Sequence, residues 1–369
     1  MTTVAWPSIV HVLWSGNVGG IERLTTDLAA EQVRQGMRVG VAFGRAAGPF
    51  VESVQAAGAE VVDLGFANGY DLRPRRLSRV ALRLAWANVI HLHGYNPAFE
   101  MLCRRASRPI VFTEHGNFGQ GRALGLDHRV KERLKSRFLK ETVDVVAANS
   151  AYTADRLKDL YGLAESSVYV VHNGIPIASP EHDLAHPARG DSVRVAFVGR
   201  LAGVKRIDRL IDAVSRMPLP RRVGVTIAGR GPLEGDLRER AAALGVEGNV
   251  AFVGLCADVP GLLASSDVVV LPSAGEAFGL TIVEGSAVGA FPIIFADGGG
   301  ALEVIPPDGI VVRDVDELAL ALERLRGSVA LSTDARRARA AWAREHFPIS
   351  RTCERYLDLY RMALENRRA

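Results

Sequence analysis

The densest concentration of chemistry-bearing residues is the segment VVVLPSAGEAFGLTIVEGSAVG at 268–289. Glu276 falls just after a β-branched strand run ends, and Glu284 follows eight residues later on a helix expected to start near Gly279. At a rise of about 1.5 Å per residue the two carboxylates stand up to about 12 Å apart, comparable to the distance from a hexose to a ribose across a diphosphate. One carboxylate can therefore hold sugar hydroxyls while the other holds a nucleoside. The amides of Phe278, Gly279 and Leu280, at the N-terminal end of that helix, suit the phosphates between them. A helix whose acids merely complement its dipole is the plainer alternative. It does not account for Ser273, Glu276, Phe278, Gly279 and Glu284 occurring together.

A second group precedes it in VRVAFVGRLAGVKRIDRLIDAV. The strand run 193–198 delivers Arg200 and Lys205 into a loop, ahead of an amphipathic helix expected over 206–216. Two cations at the C-terminal edge of a strand suit a pyrophosphate, whose charge grows as it departs from a sugar. Only five of the 45 basic residues are lysine, which makes Lys205 conspicuous. Read alone, both residues also fit a solvated surface.

Near the N-terminus, GNVGGIERL places Gly16, Gly19, Gly20 and Glu22 in a strand-to-helix turn. Consecutive glycines let backbone amides approach a phosphate at a helix start. The spacing is not G-x-G-x-x-G, so a dinucleotide fingerprint is absent, and a tight turn that binds nothing fits equally well. Gly229 opens GRGPLEG, a further candidate for backbone contact with a nucleotide, with Pro232 expected in the first turn of a helix. His91 and His93 invite a metal reading, but no third ligand has suitable spacing, and packing at a strand end is preferred. Asp314-x-Asp316 directly precedes the helical run DELALALERL, so Asp316 reads as an N-cap or first-turn acid. The expectation is therefore no metal and no cofactor.

These residues need scaffolds, and the chain alternates β-branched runs with helical stretches, the pattern of parallel sheets built from βαβ units. Strands are expected at 8–13, 38–43, 60–64, 89–92, 109–113 and 143–148, with the clearest helices at 21–35 and 127–141. The rhythm restarts at 193–198 and continues at 223–229, 250–253, 267–271, 291–295 and 309–312. Two helices close the chain at about 332–346 and 349–366, separated by Pro348. The expected organisation is a Rossmann-like domain over 1–175, a Pro-, Ala- and His-rich linker at 176–190, and a second Rossmann-like domain over 191–348. The last helix, 349–369, is expected to pack back on the first domain. Two doubly wound domains facing each other would set the C-terminal ends of their strands across a shared cleft, where ligands bind.

Composition narrows the class. The 369 residues, 48% hydrophobic and 23% charged, suit a two-domain globular protein. No apolar run approaches the ~18 residues of a membrane span. The N-terminal stretch lacks a basic region and a cleavage site, and Cys103, Cys256 and Cys353 are too far apart for a disulfide framework or a metal site. A reducing, cytoplasmic setting is expected. Residues 1–174 carry 21 Lys+Arg against 16 Asp+Glu, whereas the remainder carries 24 against 25, so an anionic partner is favoured on the N-terminal half. The basic segment RPRRLSRVALR at 73–83 reads first as a solvated face. Peripheral contact with an anionic inner membrane face is the second reading. Nothing points to nucleic acid.

In order along the chain stand GGIE (19–22), VIHLHG (89–94), FTEHG (112–116), ANS (148–150), VHNGI (171–175), FVGRL with Lys205 and Arg206 (197–206), IAGRGP (227–232), VAFVG (250–254), the Glu276–Glu284 segment and DGGGALEVI (297–305). With these motifs the sequence resembles the retaining glycosyltransferases of family four, which have the GT-B fold of two Rossmann-like domains. The resemblance implies transfer of a sugar from a nucleoside diphosphate sugar, such as a UDP-sugar or GDP-sugar, to a sugar, lipid-linked or small-molecule acceptor. It implies that Arg200 and Lys205 neutralise the pyrophosphate, that Glu284 bonds the ribose and that Glu276 contacts the transferred sugar. Phe278, Gly279 and Leu280 would supply amides, Gly19 and Gly20 would close the phosphate site, and His115 would reach the donor sugar. Two positions depart from the family pattern: Arg206 where glycine is frequent, and Met37 where histidine is usual.

Rival readings differ in what they require. A nucleotide-sugar epimerase would turn over donor alone, and an inactive binding protein would hold donor without transfer. An NAD-dependent oxidoreductase would need the G-x-G-x-x-G turn that is absent here.

Overall fold

Each apolar run expected to be a strand is one in the computed structural model, which describes residues 6–17, 19–116, 126–176, 192–218 and 222–367. The strands are β1 (Ile9–Leu13), β2 (Val39–Phe43), β3 (Glu60–Asp63), β4 (Val89–Leu92), β5 (Ile110–Glu114), β6 (Val145–Ala148) and β7 (Val168–Val170), then β8 (Val193–Val198), β9 (Val223–Ala228), β10 (Val250–Gly254), β11 (Val268–Leu271), β12 (Phe291–Phe295) and β13 (Ile310–Val312). The helices are α1 (Gly20–Arg34), α2 (Phe50–Ala56), α3 (Pro74–Arg83), α4 (Pro97–Ala106), α5 (Leu126–Glu141), α6 (Ala151–Tyr161), α7 (Ile207–Ser215), α8 (Glu234–Ala243), α9 (Val259–Ala264), α10 (Leu280–Ala287), α11 (Val315–Leu325), α12 (Thr333–His346) and α13 (Ile349–Asn366). β7 was not foreseen. It is a partly exposed three-residue edge strand, too short to show a period. Pro232 lies in the turn ahead of α8, whose N-cap is Leu233, rather than inside its first turn.

The chain divides into two compact units, one formed by Met1–Pro176 with Ile349–Ala369 and the other by Ile177–Pro348. The expected linker, beyond Pro176, lies outside the described residues.

In the first unit seven strands pair in the order β3-β2-β1-β4-β5-β6-β7, all parallel. Side chains alternate across the sheet. Val10, Val12, Ile90, Leu92 and Phe112 face a core shared with α3, α4 and α6. Ile9, Leu13, Val89 and Val111 face one shared with α1 and α13. Being covered on both faces explains the near-continuous apolar runs. Local signals start the helices: the Asn96 side chain accepts from the Phe99 amide ahead of α4, and the Ser150 side chain accepts from the Thr153 amide ahead of α6. α3 buries Leu77 and Val80. Arg73 and Arg76 at its start pair with Asp71, and Arg83 at its end donates to the Asp63 carbonyl, so part of this basic segment serves the fold.

In the second unit six parallel strands run β10-β9-β8-β11-β12-β13 over one large core. Asp314 caps α11 by accepting from the Glu317 amide, while Asp316 pairs with Arg216, so the two acids are structural. Among the described residues no helix is long and apolar enough to cross a membrane.

Candidate active site

Each sheet reverses its strand order once, between β1 and β4 in the first unit and between β8 and β11 in the second. In doubly wound sheets the loops at the C-terminal ends of such a strand pair diverge to opposite faces and open a ligand crevice. The loop after β8 carries Arg200 and Lys205, and the loop after β11 carries Ser273 and Glu276. The two loops are tied together, because the Ala274 amide donates to the Val204 carbonyl at 3.1 Å. Across this junction the Lys205 ammonium donates to Glu276 Oε2 at 2.5 Å, with both side chains partly exposed. Arg200, in the same loop as Lys205, is exposed and makes no ion pair among the described residues.

Backbone contacts hold Glu276 in place. Its amide donates to the Gly298 carbonyl at 3.1 Å, its carbonyl accepts from the Gly300 amide at 2.7 Å, and the Gly275 amide donates to Asp297. The glycine run after β12 is thus a clamp on the Glu276 loop, and Gly299 takes a φ of 62° to make it. Arg209 on α7 fixes the clamp by a bidentate pair with Asp297 at 2.8 and 2.7 Å while lying over the Phe295 ring. Asp297 and Arg209 were not among the sequence candidates. The acidic residue heading DGGG was the available signal.

Gly279 caps α10 with a φ of 88°, Phe278 and Gly279 are buried, and Leu280 opens the helix. Glu284 lies one turn in and is half-buried. Only Leu280–Ala287 is helical, so part of the separation between Glu276 and Glu284 is loop rather than helical rise. Ser273 is fully buried, and its hydroxyl has no partner among the described residues. Gly229, expected near the nucleotide, has a structural reason to be glycine: a Cβ there would stand 1.9 Å from the Gly199 carbonyl oxygen. Arg206 takes a left-handed φ of 44°, the conformation that glycine adopts freely, which explains why glycine suits this position. Its guanidinium compensates by pairing with Asp208.

In the first unit Gly19 is the N-cap of α1, with the Glu22 carboxylate folded back over it, and Gly20 is open to its surroundings. Gly16 is required by packing, since a Cβ would meet Val51 and the Ala47 carbonyl. His115 follows β5 directly. Glu114 before it forms a buried ion pair with Lys135 at 2.6 Å and accepts from the Gly116 amide at 3.0 Å, which fixes the backbone around His115.

The structure corrects the view that His91 and His93 lack a third partner. β1 pairs with β4 so that His11 lies opposite His91, and ligand atoms of His11, His91 and His93 lie within 4.8 Å of one another. Spacing along one strand cannot reveal a residue on its neighbour. All six ring nitrogens nonetheless have protein partners: His11 bonds Gln32 and His93, His91 bonds Tyr360 and Thr113, and His93 also bonds His115. The donor set is that of a hydrogen-bond network. Burial holds the pKa of His11 at about 4 and those of His91 and His93 well below the usual value, so the rings are neutral.

Comparison with known proteins follows the division of the chain. The Glycosyltransferase Family 4 model matches residues 18–179, and the Glycosyl transferases group 1 model matches residues 179–337. A D-inositol 3-phosphate glycosyltransferase of Saccharomonospora viridis is 32% identical over 248 residues, which are 60% of this chain and 56% of that protein. The chain spans 56% to 66% of the length of the first curated relatives it matches. The crystal structure of Anabaena HepE in complex with UDP and glucose superposes with a TM-score of 0.78 at 21% identity, covering 96% of this chain and 99% of that one. A glycosyltransferase from Rickettsia africae superposes with a TM-score of 0.77 at 18% identity, covering 98% and 99%. Two all-parallel doubly wound sheets and this likeness identify the GT-B fold. With two family models in tandem over residues 18–337, and their motifs in order, the chain belongs to glycosyltransferase family four.

Proposed function

We propose that the protein transfers a glycosyl group from a nucleoside diphosphate sugar to an acceptor hydroxyl, with retention of anomeric configuration and without a metal ion. The observation that carries this reading is the contact of Lys205 with Glu276 where the second sheet reverses its strand order. A sugar–diphosphate junction asks for a cation beside the departing phosphate and a carboxylate beside the sugar, and these two groups are neighbours. In the reaction the bond between the anomeric carbon and the diphosphate oxygen breaks. A bond forms from that carbon to the acceptor oxygen on the same face, and the acceptor proton passes to the departing phosphate. Arg200 and Lys205 stabilise the charge gathering on that phosphate, the kind of preorganised contact whose loss costs about 3–4 kcal/mol. Glu276 orients the sugar, Glu284 holds the ribose, and Phe278, Gly279 and Leu280 present amides to the phosphates. His115 meets a hydroxyl of the transferred sugar.

UDP-sugars are the first donors to try, because the Anabaena protein was solved with UDP-glucose and with UDP and glucose. The test incubates UDP- and GDP-sugars with sugar, lipid-linked and small-molecule acceptors, alongside donor alone, and reads the product by NMR. An α-linked product from an α-linked donor is expected, and activity should persist after EDTA treatment. An inverted anomeric carbon would contradict retention. Conversion of donor alone would favour an epimerase, and donor binding without turnover would favour a binding protein.

A further inference from the structure

The first unit contains a buried chain of hydrogen bonds running from the C-terminal helix to His115, and the direction of every proton along it follows from one amide. Tyr360 on α13 and Gln32 on α1 are both fully buried. Gln32 Nε2 donates to the Tyr360 hydroxyl oxygen at 3.3 Å. The Tyr360 hydroxyl has one proton of its own, which it gives to His91 Nδ1 at 2.8 Å. His91 then carries its proton on Nε2 and donates to Thr113 Oγ1 at 2.8 Å, and Thr113 donates to the Tyr356 hydroxyl at 3.1 Å. This arm is closed and consistent.

The other arm starts from the same amide. With Nε2 turned to Tyr360, Gln32 presents Oε1 to His11 Nε2 at 2.8 Å. A carbonyl oxygen only accepts, so His11 bears its proton on Nε2. A neutral imidazole has one N–H, which leaves His11 Nδ1 to accept from His93 Nε2 at 2.9 Å. His93 Nδ1 in turn accepts from His115 Nε2 at 3.0 Å. The rings lie close together, with the centroids of His91 and His93 at 4.1 Å and of His93 and His115 at 5.3 Å, so a charge on one disfavours a charge on the next. Burial acts in the same direction and holds His115 at about 4.

We propose that Tyr360, acting through Gln32, His11 and His93, fixes the tautomer of His115, so that His115 carries its proton on Nε2 and presents Nδ1 as a hydrogen-bond acceptor to a substrate hydroxyl. Tyr360, Gln32, His11 and His93 are positioning residues, and His115 is the group that meets substrate. The inference rests on the reading that His115 contacts a sugar hydroxyl. It adds that this contact accepts a proton rather than donating one. Rotating the Gln32 amide by half a turn would reverse all three imidazoles and convert His115 Nδ1 into a donor, which would suit an ether or phosphate oxygen instead. The C-terminal helix therefore selects the chemistry offered by the loop after β5.

The experiment is long-range proton–nitrogen correlation NMR on the full chain with labelled histidine. The expected spectrum shows His11, His93 and His115 each protonated on Nε2 and bare on Nδ1. A wild-type spectrum with His115 protonated on Nδ1, or on both nitrogens, overturns the proposal. Tyr360→Phe removes both the acceptor for Gln32 and the donor to His91 with little change of volume. It is expected to give a second, reversed set of tautomers at His115 and to lower kcat about tenfold, the worth of one hydrogen bond, while nucleoside diphosphate binding stays unchanged. If that variant does not fold, Gln32→Leu, which deletes the amide itself, is expected to release the tautomers in the same way. Tautomers unchanged in the variant that folds would overturn the role of the relay, even if kcat fell. The spectrum needs no donor, so the expected tautomers in a protein that transfers no sugar would count against the transferase reading and not against the relay.

Discussion

Lys205 and Glu276 are 71 positions apart and meet at 2.5 Å, and this contact is the centre of the proposed chemistry. Each was legible as a candidate because an ionisable side chain at the end of a strand has few structural duties. Their contact was not legible, since it depends on β8 and β11 being neighbours, which is a property of strand order. His11 was overlooked for the same reason. It faces His91 across a strand pair, whereas sequence spacing shows only neighbours along one strand. The first prediction belongs at this scale. Lys205→Ala should lower turnover about 100-fold and weaken nucleoside diphosphate binding, because it removes a preorganised charge from the departing phosphate. Steady-state kinetics with titration calorimetry checks it, and unchanged binding and turnover would remove Lys205 from the mechanism.

At the scale of elements, loops at strand ends do the positioning, and glycines let them approach. The loop after β9 lies so close to the loop after β8 that the Gly199 amide donates to the Ala228 carbonyl at 2.9 Å and the Leu201 amide to the Arg230 carbonyl at 3.0 Å. Strands and long helices were readable from period and apolar runs. The glycine contacts were not, because a glycine that serves a ligand and one that serves a neighbouring backbone look alike in sequence. Gly229→Ala separates the two roles. It should destabilise the protein by about 1–3 kcal/mol through the clash with the Gly199 carbonyl. A lowered denaturation midpoint, read by circular dichroism, is the expected result. Full stability with weakened donor binding would return Gly229 to the nucleotide site.

At the scale of the whole molecule, the chain builds one doubly wound sheet in each unit and returns its last helix to the first. The repeated βα rhythm made the two sheets legible. The amphipathic period of 349–366 showed a helix, but not that its buried tyrosines would complete a polar network on the sheet. That network gives stability a pH dependence. Three buried histidines, His11, His91 and His93, and the half-buried His115 have folded pKa values below the unfolded value of about 6.5, with His11 and His115 at about 4. The unfolded chain therefore binds more protons between those values, so the contribution is complete above pH ~6.5 and is lost as pH falls toward ~4. Asp27 and Glu22, raised by burial, act in the opposite sense, two groups against four. The urea midpoint should fall from pH 7.5 to pH 5, and a midpoint that stays flat would mean that the histidines are not held neutral in the folded protein.

The most direct test of the central claim is calorimetric titration of UDP and GDP into the wild-type protein and the two glutamate variants. Glu284 is assigned to ribose in ground and transition states alike, whereas Glu276 is assigned to a sugar that these ligands lack. The account predicts that one nucleoside diphosphate binds the wild type, binds Glu276→Gln almost normally, and binds Glu284→Gln poorly. The kinetic counterpart is a raised donor KM for Glu284→Gln and a lowered kcat for Glu276→Gln. The reverse order of affinities would show that the two carboxylates are assigned backwards, and no binding of either nucleotide to the wild type would contradict the account at its centre.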